Sequence, residues 1–197
     1  QGLADGYFVL PYTIQNYLSD QISVPHIKTD SPEFEKTENE INQRIERLMN
    51  IKGKHSVDSI HKKLGHIMWE YVGMARNEAG LKKAIEELKE IKKDFWTNVR
   101  IPGEKSTLNI ELEKALRLAD FIEMGELMAR DALNREESCG GHFRTEHQTE
   151  EGEALRHDDE FAYVSCWEYK GEDNEPVMYK ESLDYEFVVR QQRNYKS

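Results

Sequence analysis

Four stretches of this chain repeat an apolar residue at every third or fourth position, and each is broken by glycine, proline or both. That rhythm restricts the fold more than any other feature, because it places one oily stripe on each of several helices. Ser31, Pro32 and Glu33 make a good helix start, with a capping hydroxyl, proline at the first helical position and an acid facing the dipole. Phe34, Ile41, Ile45 and Leu48 continue the stripe to about Ile51, and Gly53 stops it. A second helix is predicted over about Val57 to Asn77, using Ile60, Leu64, Ile67, Met68, Tyr71, Val72 and Ala75. Gly80 interrupts the pattern, after which Leu81, Ala84, Ile85, Leu88, Ile91 and Phe95 mark a third, ending before Pro102 and Gly103. The last starts near Leu108 or Asn109 and uses Leu112, Leu116, Ala119, Ile122, Leu127 and Leu133.

The flanks differ. From Leu3 to Leu18 the chain is apolar and aromatic on nearly all sides, which suits a helix enclosed by a larger protein, with Pro11 expected to kink it. Ser19 to Asp30 reads as a linker. After the helices, Phe161 to Tyr169 and Val177 to Leu183 are rich in aromatic and β-branched residues around a turn-like Gly171 to Asn174, predicting a small hairpin or extended arms. Arg190 to Ser197 carries no core signal. The expectation is a mainly α fold, an antiparallel three-helix-type, spectrin-repeat-like bundle with an extended C-terminal tail or small β-hairpin. Its expected divisions are 1–30 (helix plus linker), 31–135 (bundle) and 136–197 (glycine loop and tail).

Charge narrows the partners. A net charge of -11 repels polyphosphate, and no segment gathers basic and aromatic residues as nucleic-acid binding requires, so nucleic acid is not an expected partner. No apolar run approaches the roughly 20 residues that span a bilayer. Cys139 and Cys166 form no CxxC or Cys/His framework, which points to a reducing setting without a structural zinc site. The start, Gln1 to Gly6, has no initiator Met and no signal-peptide pattern, and reads as a chain entered partway through.

The densest chemistry follows the last helix: Arg135, Glu136, Glu137, Ser138, Cys139, Gly140, Gly141, His142, Phe143, Arg144. Paired glycines cost roughly 1 kcal/mol each inside a helix, and are suited to ending one and turning sharply. Other chemistries fit less well. His61 and His66 lie five apart, about 140° from each other around a helix, so a shared metal is not expected. Cys139, His142, His147 and His157 match no recurrent zinc spacing, and the run His157 to Glu160 lacks the alternating ligands of a calcium loop. Gly140 and Gly141 sit in no GxGxxG or Walker context. The loop reads best as a corner pinning one part of a larger protein to another, its charged groups awaiting partners.

Arg135, Glu137, Ser138, Gly140, His142 and Arg144 match in place the Arg-x-Glu-Ser-Arg-Gly-x-His-x-Arg stretch of the flavoprotein subunit of succinate dehydrogenase and fumarate reductase, which this region resembles. Cys139 stands where that family commonly has arginine. Arg156, Asp158, Asp159, Glu160 and Phe161 are similar to its Arg-Asp-Asp-Glu-aromatic stretch, with His157 as a further departure. Asn109, Leu112, Leu116 and Glu126 resemble its last long helix, and Gln1 to Leu10 resembles the helix after its Asn-Arg-Leu-Gly stretch. The same C-terminal domain occurs in L-aspartate oxidase.

The resemblance implies a parent enzyme that moves hydride between succinate carbons and FAD, with the covalent flavin histidine, the proton-donating arginine and the carboxylate-binding groups upstream of Gln1. It therefore implies no catalytic, cofactor-binding or metal residue in this chain, FAD in the parent only, and inactivity of the chain alone. The implied partners are the flavin-binding domain of the same subunit and an iron-sulfur subunit, with a membrane anchor reached indirectly at the cytoplasmic face. Arg135, Glu137, Ser138, Gly140, Gly141, His142, Arg144, Arg156, Asp158 and Asp159 are the docking candidates. An autonomous helical interaction module is the alternative.

Overall fold

The computed structural model describes residues 2–171 and 174–191, and the chain divides into two units, 1–44 and 45–197. The first unit holds α1 (Gly2–Ala4), a π-helical turn (Asp5–Val9), α2 (Leu10–Leu18) and most of α3 (Pro32–Asn50). Pro11 lies at the start of α2, just after the π turn, where Leu10 N–H reaches back to the Asp5 carbonyl. The widened turn makes room for a ring that would otherwise crowd the carbonyl four residues earlier. None of the described residues of α1, the π turn or α2 is buried, and Tyr7 and Phe8 are 73% and 67% exposed.

In the second unit, α4 (Val57–Tyr71), α5 (Glu78–Asn98) and α6 (Ile110–Asn134) form the three-helix bundle. Each helix opens on a side-chain cap. Ser56 Oγ accepts from Ser59 N–H, Asn77 Oδ1 from Gly80 N–H at 2.7 Å, and Asn109 Oδ1 from Leu112 N–H at 3.0 Å. The core is Ile60, Leu64 and Ile67 of α4, Leu81, Leu88 and Phe95 of α5, and Leu112, Leu118 and Ile122 of α6, closed at one end by Leu48 of α3. The mainly α bundle expected from the sequence is the fold observed, down to the small hairpin.

Several boundaries move. α4 stops at Tyr71, so Ala75 lies beyond it and is exposed. Gly80 does not separate helices but occupies the first turn of α5, its N–H held by Asn77. On α3, Ile45 and Leu48 pack into the core while Phe34 and Ile41 stay exposed. On α6 the buried face is built from Ala115, Ala119, Gly125, Ala129 and Ala132 as much as from large residues, with Leu116 and Leu133 only partly buried. Small residues let neighbouring helices approach closely.

Two short pairings tie the elements together. β1 (His55–Ser56) runs parallel to β2 (Val99–Arg100), so the start of α4 and the end of α5 share one edge. Gly53 allows this: its N–H donates to the Val99 carbonyl at 3.2 Å, and a Cβ there would fall 1.8 Å from the Asn98 carbonyl oxygen. After a single helical turn, α7 (Asp158–Phe161), β3 (Tyr163–Glu168) pairs antiparallel with β4 (Val177–Ser182), from Tyr163 opposite Ser182 to Glu168 opposite Val177. The polar terminus from 192 onward lies outside the described residues.

Candidate functional site

The loop after α6 gathers the ends of all three bundle helices. The last carbonyls of a helix have no partner within it. At the end of α6 they are met by Arg144, which is 2% exposed and donates from Nη1 to the Ala132 and Leu133 carbonyls at 3.0 and 3.3 Å. Ser138, fully buried, holds that arginine: its Oγ accepts from Arg144 N–H at 2.8 Å and donates to the Arg144 carbonyl at 3.2 Å. Arg144 Nε also pairs with Glu146 at 3.3 Å, and Glu146 Oε1 accepts the Glu78 N–H at the start of α5. Burial pushes the Glu146 carboxyl up, but the Glu78 N–H, its own backbone and Arg144 outweigh it and leave it below the ordinary value.

Arg76 performs the corresponding task at the end of α4, donating from Nε to the Val72 and Gly73 carbonyls at 3.1 Å each. Its main chain runs beside the loop: Arg76 N–H donates to the Phe143 carbonyl at 3.0 Å, and Thr145 N–H donates to the Arg76 carbonyl at 2.8 Å. His142 sits between two such ends. Its Nε2 is 2.9 Å from the Arg135 carbonyl, which only accepts, and its Nδ1 is 2.9 Å from Arg76 Nη1, which only donates. These partners require the neutral ring with hydrogen on Nε2. Burial, opposed only by the Arg135 carbonyl and reinforced by Arg76, Arg144 and Arg135, holds the His142 pKa below its ordinary 6.5.

The remaining candidates fasten the tail. Arg135 donates to Glu137 Oε1 and to the Phe161 and Tyr163 carbonyls, each at 2.9 Å, with its guanidinium 4.9 Å from the Tyr163 ring centre. Glu137, 2% exposed, uses its other oxygen to accept His157 N–H at 2.9 Å. Arg156 grips Asp158 with two parallel bonds of 2.8 Å and reaches the Gln191 carbonyl. Asp159 is exposed on the same turn.

Gly140 and Gly141 turn a tight hairpin rather than end a helix. Cys139 and His142 exchange N–H bonds of 2.8 and 3.0 Å across them, and Gly140 has φ +59°, a value open to glycine. α6 has already ended at Asn134. Both glycines are exposed. The structure thus brings Arg135, Glu137, Ser138, His142 and Arg144 into one network and finds most of their partners inside the chain. Arg76, Asp131 and Glu146 join them. Arg76 carries little signal in the sequence, where it falls in the last turn of the helix expected to run to about Asn77.

Beside this network, Arg76, Met128, Asp131, Arg135 and Cys139 line an open cleft of about 400 Å³. Asp131 accepts the Trp167 indole N–H at 2.8 Å. A second cavity of about 410 Å³ lies between α5, α6 and the hairpin, walled by Leu127, Trp167 and Tyr169. Its cations are paired, Lys92 with Glu123 at 2.8 Å and Arg130 with Glu126 at 2.6 Å. His61 contacts the Phe121 ring, and His147 and His157 stack edge to face. Among the described residues no three His, Cys, Asp or Glu side chains converge as metal ligands.

A dinucleotide's pyrophosphate needs backbone N–H groups at a helix start that follows a strand. The glycine corner opens no helix, and its flanking N–H groups are already used across the hairpin. The glycine corner therefore does not fit a dinucleotide's pyrophosphate. What fold and network define is a helical domain in which a buried arginine, Arg144, and a half-buried one, Arg76, close helix ends.

Comparison with known proteins narrows this class. The family described as fumarate reductase flavoprotein C-term matches residues 61–195. Similar relatives include an uncharacterised FAD-dependent oxidoreductase of Methanocaldococcus jannaschii, 34% identical over 54% of this chain and 19% of its own. The fumarate reductase flavoprotein subunit of Proteus vulgaris is 33% identical over 53% of this chain and 17% of its own. Among solved structures, E. coli quinol fumarate reductase FrdA superposes with a TM-score of 0.72 at 24% identity, over 86% of this chain and 28% of that one. Adenylylsulfate reductase of Archaeoglobus fulgidus superposes at 0.62 and 20% identity, over 89% of this chain and 28% of that one. This chain belongs to the family of succinate dehydrogenase and fumarate reductase flavoprotein C-terminal domains. It spans about a fifth of the length of the curated relatives it matches.

Proposed function

We propose that this chain is the non-catalytic C-terminal helical part of a flavoprotein subunit that interconverts succinate and fumarate with FAD and passes electrons to an iron-sulfur subunit. The observation that carries the reading is the internal commitment of the polar groups after α6. Arg135, Glu137, Ser138, His142 and Arg144 are bonded to one another, to Arg76 or to helix-end carbonyls. A group so engaged holds a shape; a general acid or carboxylate clamp needs its donors turned toward the substrate. The fumarate reductase relatives above 30% identity support succinate and fumarate as the parent's substrates, whereas the bare fold also occurs in adenylylsulfate reductase.

Within that parent, the buried members keep a rigid corner, and the exposed Gly140, Gly141 and Asp159 present it to the flavin-binding domain. Residues 1–30, whose large apolar side chains are exposed, are the outlying piece of that domain. Residues 31–135 are the bundle, and 136–197 the loop and tail. In this reading the parent sits peripherally at the cytoplasmic face and reaches a membrane anchor through the iron-sulfur subunit; among the described residues of this chain no helix is long and apolar enough to cross a membrane.

Two measurements test this. The isolated chain is expected to show no flavin absorbance and no succinate-dependent dye reduction, and robust turnover would overturn the assignment of chemistry to the rest of the subunit. In the full-length subunit, Arg135→Lys is expected to lower the yield of assembled, flavin-loaded protein while leaving the KM for dicarboxylate unchanged. A rise in KM at normal assembly would place the corner at the substrate instead.

A further inference from the structure

His142 occupies a position that only one of its protonation states can hold. Arg76 Nη1 approaches Nδ1 at 2.9 Å, and a guanidinium has no lone pair to accept a hydrogen there. Adding a proton to Nδ1 therefore turns an N–H···N bond into a facing pair of donors, both cationic. Nε2 donates to the Arg135 carbonyl in either state, so the ring keeps that anchor. The surroundings give the new charge little relief. From the segment after α4 comes Arg76. From α6 and its end come Asp131 and Arg135, with Arg135 already bonded to Glu137 and Asp131 to Trp167. From the loop itself come Cys139 and Arg144, with Arg144 paired to Glu146.

We propose that His142 is a proton-operated latch, which when neutral clamps the 139–145 loop onto Arg76 at the end of α4 and when protonated releases that side of the loop while remaining tethered to α6. Arg76 is suited to the moving role. Its Nε bonds to Val72 and Gly73 are independent of the ring, while the two main-chain bonds to Phe143 and Thr145 are what opening would sacrifice. The sign follows from the bound state. A base kept neutral in the closed form binds its proton more readily once open, so closure is favoured above the ordinary histidine pKa and weakens as pH falls below it. The inference concerns the chain's own mechanics and stands whether or not the parent acts on succinate.

Nitrogen NMR of the histidine side chains in the intact chain reads the device directly. At pH 7.5, His142 is expected as the neutral tautomer with hydrogen on Nε2, titrating with a midpoint below 6.5. Amide exchange protection of Arg76 and Thr145 is expected to fall about tenfold for each pH unit of acidification within the window between closed and open midpoints. Protection deep in the core, at Leu88 for example, should stay far higher than at Arg76 and Thr145 throughout, since core amides exchange only when the whole bundle unfolds. In His142→Gln, which keeps a donor for the Arg135 carbonyl but cannot titrate, protection at Arg76 and Thr145 should lose this pH dependence. Should that variant fail to fold, the wild-type titration decides alone. A cationic or Nδ1–H ring at pH 7.5, a midpoint at or above 6.5, or unchanged protection at Arg76 and Thr145 through the titration would each overturn the latch.

Discussion

Arg144 is the side chain on which the corner most depends, because it is nearly inaccessible and gives its hydrogen bonds to two helix-end carbonyls and to Glu146. Arg144→Met keeps the apolar stem and removes the donors, and is expected to cost about 2 kcal/mol or more in urea unfolding. Arg144→Lys should recover little, since a single ammonium cannot reproduce the fork that spans two carbonyls and Glu146. Ser138→Ala strips the hydroxyl that holds Arg144 from both sides, for an expected loss of about 1 kcal/mol. At Gly140 a Cβ meets nothing within 4 Å, so Gly140→Ala should cost only the conformational penalty of its φ, about 1 kcal/mol. The identity of these residues was legible in the sequence, but their partners were not. Arg135 through Arg144 read as groups awaiting something outside, whereas the backbone carbonyls that satisfy them carry no signature in a sequence.

The helices were the most legible elements, since an apolar stripe is a local property. Their ends were harder. Asn77 ahead of Glu78 is a proper cap, yet Gly80 three residues later drew attention as a break, when in fact its N–H completes that cap. The pairing of β1 with β2 was invisible, being two residues on each side brought together across an intervening hairpin of helices. The alanine face of α6 was also missed in part, because alanine contributes little to a hydrophobic stripe while deciding how closely helices approach. Two substitutions probe these features. Ala129→Leu should overpack the bundle and lower stability by about 1–3 kcal/mol. Gly53→Ala should be worse than its exposure suggests, because the new Cβ would meet backbone rather than a yielding side chain, and the β1–β2 edge should lose its exchange protection.

For the molecule as a whole, acid should act in two stages. Below pH 6.5 the unfolded chain binds a proton at His142 that the native state resists, so stability falls as pH drops toward the native midpoint. Asp94, desolvated but held down by Asn98, His55 and Lys63, and Glu146 contribute above their unfolded values of 3.8 and 4.5, and that contribution is lost as pH falls through their lower native ones. Urea midpoints measured from pH 8 to 3 should therefore show a shallow decline first and a steeper one afterwards, with His142→Gln lacking the first. Removing residues 2–30 should leave the thermal midpoint of the remaining unit unchanged, as the described helices there bury nothing.

The arginine that closes α6 stands ten residues beyond the helix it completes. A ribosome that has just delivered Asn134 has thus made every residue of the last bundle helix, yet its final turn still ends in bare carbonyls. Completion of that turn waits on synthesis of the corner. The corner is thus translated after the helix it completes, and a chain cut between Asn134 and Arg144 would leave that helix end unclosed.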